Sequence, residues 1–450
     1  MKKSGVKFLA LLLALSCLLC PLCVGAADGG KTYYVDAVNG SDENEGTADS
    51  PWQTFAPLEN TALSAGDSVL LHRGQVFPFS FVPGASGSEE APITFGAYGE
   101  GEKPLIKLDV TGFPVLLLNV SHWIVTDIAV SSPEGGGMYI MAIGDGQTVS
   151  DITVQNCDFF DIALNTTNTM CAAINIDANG YRAAVNDIHF DNITINHAAW
   201  GIHTAGMNRE RDINTFESPE LTYNHNFLFE NIQVNDARCG GIVIGAVQDA
   251  LVRGCRMTNC ATLEGEPYAA LWMRHSDRVR VEYCEISGTS NTWDGMALDF
   301  DGWTTNSTYD HIYSHNNHCF MKNCVFDAET RNKGNTVSNC VSVDDGGDIN
   351  WAAIPLFSTD VPSFSPMFHF TFENNILVND KPILWLFTPF AAVRNNTFAG
   401  NTVSLLLHRL FNLFTFGARQ HYVSSDSPVI AERIAEITAE LPAPFTEING

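Results

Sequence analysis

Positive charge is scarce in this chain. Its 24 lysines and arginines stand against 51 aspartates and glutamates, a net charge of −27 at neutral pH. That excludes a nucleic-acid binder, and it disfavours direct capture of a polyanion unless a cation or a local basic patch intervenes. Lysine nearly vanishes from the middle of the chain: only Lys322 and Lys333 fall between residues 108 and 380. Beyond the first 23 residues there is no long apolar run. The nearest approach, SLLLHRLFNLFTF at 404–416, is short and broken by His408, Arg409 and Asn412, so no transmembrane segment is expected. Nor does cysteine suffice for a disulfide framework. Three of the 12 lie at positions 17, 20 and 23, and the remaining nine are an odd number that cannot all pair.

What is present starts with a leader. Lys2, Lys3 and Lys7 precede an apolar run from Phe8 to Cys23, followed by the small residues of VGAAD. This reads as a signal peptide over residues 1–26, and the rest is expected to be secreted, extracellular or held at the cell surface. None of Cys17, Cys20 and Cys23 combines a leucine three positions before it with a small residue directly before it, which weighs against lipoprotein anchoring.

The chain then repeats itself. VSDITVQNCDFFDI (149), VNDIHFDNITINHA (185), NHNFLFENIQVNDA (224), VQDALVRGCRMTNC (247), SDRVRVEYCEISGT (276), GNTVSNCVSVDD (334), FHFTFENNILVND (368) and AAVRNNTFAG (391) share one plan. Each is a polar turn, an alternating strand, a corner residue, then a second short strand. The corner residues are Asn156, Asn192, Asn231, Gly254, Tyr283, Asn339, Asn374 and Asn395, at successive gaps of 36, 39, 23, 29, 56, 35 and 21. The gap of 56 divides in two if TYDHIYSHNN (308–317) supplies a missing turn. Strands of four to six residues at such a period, with asparagine at a corner where left-handed backbone is tolerated, predict a solenoid of β-coils. The cysteines Cys157, Cys255, Cys284, Cys324 and Cys340 recur next to the corner, which predicts core thiols rather than bridges; Cys255 and Cys260 are the best candidate pair.

Three further stretches carry a resemblance. YYVDAVNGSDENEGTADSPWQTF (33–55), AGDSVLLHRG (65–74) and APITFGAYGEGEKPLI (91–106) resemble the N-terminal cap and first coils of secreted right-handed parallel β-helix proteins of the pectin-lyase-like superfamily, the bacterial carbohydrate-active members especially. The resemblance implies an all-β, right-handed parallel β-helix. The expected organisation is a signal peptide at 1–26, cap and first coils at 27–110, parallel β-helix at 111–416, and a C-terminal tail at 417–450. In that tail Ser427 and Pro428 start an amphipathic helix with Val429, Ile430, Ile434, Ile437 and Leu441 on one face. It is expected to cap the open end of the solenoid or lie along its side. For chemistry the resemblance is weak, since such folds carry hydrolases, lyases, esterases and adhesins.

One strand per coil, AAINID (172), WGIHTA (200), GGIVIG (240), AALWMR (269) and MALDFD (296), is expected to stack into a shared parallel sheet. Alternation then points Asn175, Asp177, His203, Val243, Trp272, Arg274, Ala297, Asp299 and Asp301 outward. An aromatic plate, hydrogen-bonding groups and carboxylates on one face suit an extended glycan, with Trp272, Arg274, His203, Asn175 and Asp177 as substrate-binding candidates. Each has a plainer reading: Trp272 covered by the loop NRERDINTFESPEL (208–221), His203 as a structural hydrogen-bonder, Arg274 paired with Asp299 or Asp301.

Within DGMALDFDG (294–302), Asp299 and Asp301 lie two apart on one strand, with backbones about 6.5–7 Å apart. Like charges this close favour a proton on one of them, an acid beside a base. Carboxylates flank a glycosidic bond at about 5–5.5 Å in retaining enzymes and about 6.5–9.5 Å in inverting ones, so the spacing permits either and slightly favours inversion. Asp294 is placed to orient water or substrate. The first expectation is therefore a glycoside hydrolase acting on a polysaccharide or oligosaccharide through Asp299, Asp301 and Asp294. No cofactor is required, and the protein is expected to be a monomer. The second is a polysaccharide lyase using Arg274 as base, with calcium held by Asp299, Asp301 and the DDGGD carboxylates Asp344, Asp345 and Asp348. A non-catalytic glycan-binding surface protein is the third.

Overall fold

The structure is a computed structural model that describes residues 29–206, 222–323, 332–346, 354–355, 370–379, 384–385, 392–400 and 420–443. The expected signal peptide, the 208–221 loop, Cys324 and Asp348 lie outside the described residues. Among those described, no helix is long and apolar enough to cross a membrane.

Alternating sequences form strands here, and the strands pair in parallel with the equivalent strand one coil away. The outcome is a continuous parallel sheet wrapped around three faces. The first face runs from Thr32–Val35 through Ser68–His72, Ile93–Tyr98, Trp123–Thr126, Thr148–Gln155, Ala184–Asp191, Asn224–Glu230 and Val247–Arg253, and onward. The second follows each corner, as in Asp158–Ile162 and the first half of Thr194–Gly206. The third stacks Val115–Leu118, Met138–Ile143, Ile174–Asn179, the second half of Thr194–Gly206, the end of Gln233–Gly245, Ala269–Arg274, Met296–Phe300 and Cys319–Asn323. The five strands expected to share one sheet are consecutive members of this third face.

All eight predicted corner residues have left-handed backbone, with φ between 51° and 64°. The missing turn in the gap of 56 is His311, also left-handed at φ 52°, and its ring stacks on Tyr283 one coil below at 4.8 Å. Asn192 donates its amide to the Asn156 carbonyl oxygen at 2.8 Å, so the corner asparagines also bond from coil to coil. Directly inside this corner lie Cys157, Cys255, Cys284 and Cys340, each buried and unbridged. Cys255 and Cys260 do not pair. They sit inside successive corners of one coil, and their thiols donate to the carbonyls of Phe229 and Val234 respectively.

The coil interior is one continuous apolar core, where each fully buried Ile, Val, Leu or Phe contributes about 1.5–3 kcal/mol. The tail helix spans Pro428–Thr438 with Ser427 as N-cap, as the sequence predicts. Ile430 and Ile437 pack with Val341, Ile376 and Val378, so the helix lies along the side of the second face. Val429, expected on the buried stripe, is 40% exposed.

Candidate active site

Register on the third face sets the site. Pairing places Tyr139, Asn175, His203, Val243, Trp272 and Asp299 in one column, one residue per coil, and Lys322 follows by backbone register. A second column, two residues further along each strand, holds Met141, Asp177, Ala205, Gly245 and Arg274. Asp301 continues it, its backbone N–H bonded to the Met273 carbonyl at 2.9 Å. Coils are spaced about 4.8 Å apart, so Trp272 and Arg274 stand one step from Asp299 and Asp301, His203 about 14 Å from Asp299, and Asn175 about 19 Å.

Alternation failed at two positions: Val243, expected outward, is 3% exposed and belongs to the main core cluster. Ala297 is wholly buried in the main core beside Leu298, because the chain bends into the third face there and turns two successive side chains inward. Met296 instead joins Ala269 and Cys319 in a separate patch against which Trp272 packs. At the matching positions of earlier coils stand Gly201 and Gly241, where an added Cβ would first meet the Gly241 carbonyl oxygen at 2.2 Å and the Ala270 carbonyl oxygen at 2.8 Å respectively.

Asp299 and Asp301 are only 3% and 6% exposed. The Asp301 carboxylate accepts the Gly302 N–H at 2.7 Å and lies 3.9 Å from the Arg274 guanidinium, so the ion pair considered for Arg274 forms with Asp301. Behind Asp299, the buried Tyr309 hydroxyl donates to the Asp299 carbonyl at 2.8 Å, fixing the strand from inside. The half-buried Trp272 has an indole Nε1 with no hydrogen-bond partner among the described residues, and a buried donor without a partner is unusual enough to call for a ligand or water. His203 meets the Trp200 ring edge-on at 5.8 Å. Burial, with the Arg274 charge adding to it, pushes its imidazole down to about 4, so it stays neutral near pH 7.

Two candidates are already engaged. The Asn175 amide donates to the carbonyls of Met170 at 2.9 Å and Ala172 at 3.3 Å, and Asp177 accepts the Tyr139 hydroxyl at 3.1 Å. Asp294 sits at the start of the strand, 9% exposed. The next residue, Gly295, has φ +48°, and an added Cβ would lie 2.0 Å from the Asn291 carbonyl oxygen, so only glycine fits. The sequence reading passed over Trp293, which is 66% exposed beside Asp294. Its N–H is tied to Asn291 at 2.8 Å, and the Asn291 amide is tied to the Leu263 carbonyl at 2.7 Å.

The DDGGD carboxylates do not join this group. Asp344 is an exposed, left-handed corner residue, whereas Asp345 is wholly buried inside the coil. The two point to opposite sides of the chain and cannot share an ion with each other. Among the described residues, no group of three His, Cys, Asp or Glu gathers as a metal site.

No protein-family model matches the chain. It is 39% identical to the lacto-N-biosidase of Bifidobacterium longum subsp. longum over 84 residues, 17% of this chain and 5% of that protein. It is 29% identical to the uncharacterized protein YwoF of Bacillus subtilis over 134 residues, 27% of this chain and 28% of that protein. The matches therefore span only small parts of both relatives. Among solved structures, a GH136 lacto-N-biosidase from Eubacterium ramulus superposes with a TM-score of 0.62 at 20% identity, covering 88% of this chain and 67% of that one. That likeness agrees with the β-helix architecture and speaks for the fold alone.

Proposed function

We propose that the protein is an exported carbohydrate-active enzyme, a glycoside hydrolase that cleaves an oligosaccharide or polysaccharide lying along the third face. The observation that carries this reading is the placing of Trp272, Arg274, Asp299 and Asp301 on the outer face of two neighbouring coils. Asp301, beside the Arg274 guanidinium, is suited to the ionised role of base or nucleophile. Asp299, only 3% exposed, is suited to giving a proton to the leaving oxygen, since burial disfavours its charged form. The Trp272 N–H, without a partner among the described residues, can hold a sugar oxygen at that point, and Asp294 flanks the pair from the start of the strand. The lacto-N-biosidase stretch at 39% identity favours a hydrolase over a lyase.

A second reading, a polysaccharide lyase, draws on the register that puts Lys322 next to Asp299 in the column. In that scheme calcium would be held by Asp299 and Asp301, but it loses the support of Asp344 and Asp345, which diverge. The test is a glycan screen, substrates of lacto-N-biosidases included, read in parallel for reducing ends and for the absorbance of unsaturated uronates. On the substrate found, Asp299→Asn, Asp301→Asn and Asp294→Asn are compared with wild type. The proposal expects losses of about 10²- to 10⁴-fold for the two members of the pair. Unsaturated products would replace it with the lyase, and full activity in both Asp299→Asn and Asp301→Asn would remove them from the mechanism.

A further inference from the structure

Asp345 belongs to no candidate site once its position is known, yet it is wholly buried and its carboxylate accepts four hydrogen bonds. One oxygen accepts the Asn317 backbone N–H at 2.9 Å and the Asn317 amide at 3.0 Å; the other accepts the hydroxyls of Ser314 at 2.6 Å and Ser342 at 2.7 Å. Together with the Ile286 carbonyl and the Ser314 hydroxyl, each accepting from the Asn317 amide at 3.0 Å, these bonds fix which way the Asn317 side chain faces. Its carbonyl oxygen is turned to accept the Thr289 N–H one coil below at 3.0 Å. Thr289 in turn donates its hydroxyl to the Gly295 carbonyl and accepts the His318 N–H at 3.1 Å. The Gly295 carbonyl also accepts the Cys319 N–H at 3.2 Å. The relay, buried at each side chain, thus ends on the residue next to Asp294. The clamp from the opposite side, through Asn291 and Glu264, holds residues 291–293.

We propose that Asp345 is a positioning residue for Asp294, acting from inside the coil through Asn317 and the Thr289 hydroxyl on the Gly295 carbonyl. The inference rests on the reading above that Asp294 serves the catalytic group. It assigns a role to three residues, Asp345, Asn317 and Thr289, that touch no substrate.

The test uses the full chain and two pairs of variants. Asp345→Ala removes two of the bonds that hold Asn317 and leaves its amide only the Ile286 carbonyl and the Ser314 hydroxyl, whereas Asp345→Asn keeps one oxygen for Asn317 and offers an amide to the serine hydroxyls, which can accept. Thr289→Val removes the hydroxyl at nearly constant volume, and Thr289→Ser restores it. Activity is read on a chromogenic aryl glycoside cleaved by wild type, well below each melting temperature. Since misplacement by about 1 Å can cost about 10²-fold, Asp345→Ala and Thr289→Val are each expected to lower kcat about tenfold to a hundredfold, with KM nearly unchanged. Their double variant should lose no more than the worse single one, because both break one relay. Asp345→Asn and Thr289→Ser should recover most of the rate. Ser342→Ala, which removes a bond to Asp345 outside the relay, should lower Tm but leave kcat intact.

Amide hydrogen exchange over residues 292–296 gives a readout that needs no substrate. Faster exchange there in Asp345→Ala and Thr289→Val, but not in Ser342→Ala, is expected. Equal loss of kcat in Ser342→Ala, additive losses in the double variant, or unchanged exchange at 292–296 would each overturn the proposal. If Asp294→Asn keeps full kcat, the functional reading of Asp294 fails first. If Asp294→Asn is inactive while Thr289→Val is normal, only the positioning role falls.

Discussion

Asp345 sets two effects against each other, and their balance can be measured. Complete burial penalises its charged form, while hydrogen bonds from Ser314, Ser342 and Asn317 favour it; burial wins, and the carboxyl is pushed up from 3.8 to about 6. A carboxyl that holds its proton more tightly in the folded state adds stability below pH 3.8. That stability is lost as pH rises through about 6, since between those values the native state binds more protons than the unfolded one. Raising the carboxyl from 3.8 to about 6 corresponds to roughly 3 kcal/mol. The whole protein will not show this directly. Asp36, Asp277 and Asp310 are all held below the usual carboxylate range by hydrogen bonds that outweigh the cost of burial, and they act in the opposite sense. The comparison is therefore between wild type and Asp345→Asn, which keeps the shape and cannot titrate. Denaturant unfolding of both at half-unit steps from pH 3.5 to 7.5 gives a stability difference, wild type minus variant. That difference should fall by roughly 2–4 kcal/mol between pH 4 and 6.5 and then level off. A flat difference, or one that rises with pH, would refute the reasoning and mean that the hydrogen bonds, not burial, control this carboxyl.

Other consequences are simpler to check. Trp272→Phe keeps a ring against Ala269, Met296 and Cys319 but removes the N–H. It should weaken substrate binding about fivefold to tenfold, the worth of one hydrogen bond, with little change in Tm; unchanged KM would show that the indole nitrogen meets no substrate. A chelator should leave both the melting temperature and the activity of wild type unchanged if the aspartates act as acid and base. A fall in both, restored by calcium, would favour the lyase reading. In the native protein the buried thiols among the described residues, half-buried Cys171 aside, should react negligibly with a thiol reagent, because burial pushes Cys157 and Cys260 up to about 12 and thiolate is the reacting form. Denatured but unreduced protein should then expose at least the eight described thiols, and finding fewer than five would mean disulfides where the structure has none.

Most of the solenoid could be read from sequence because its corners demand a rare backbone that asparagine and glycine tolerate and most residues do not. Asn156, Asn192 and Asn231 announce their coils. Tyr283 and His311 occupy the same left-handed corner, but nothing in the residue type says so. What makes them acceptable is the stacking of one ring on the other at 4.8 Å, a contact between residues 28 apart. Repeat spacing alone marks Tyr283, and for that reason the next corner is located only to the stretch 308–317 and not to His311. The second corner of each coil, where Asp161 meets His197 at 2.7 Å, was missed likewise.

The column of Trp272 and Asp299 was legible because alternation along a strand is a local rule, and it broke at Ala297 because the bend into the third face is not local. The reading of Asp345 failed for a deeper reason. A run of acids in sequence looks like a surface or a calcium loop, since burying a carboxylate is costly unless it is satisfied. The donors that satisfy this one come from Ser314 and Asn317 a full coil earlier, together with Ser342. Sequence records charge at each position. Only the stacking of coils decides whether that charge faces water, a neighbouring side chain, or the inside of a corner.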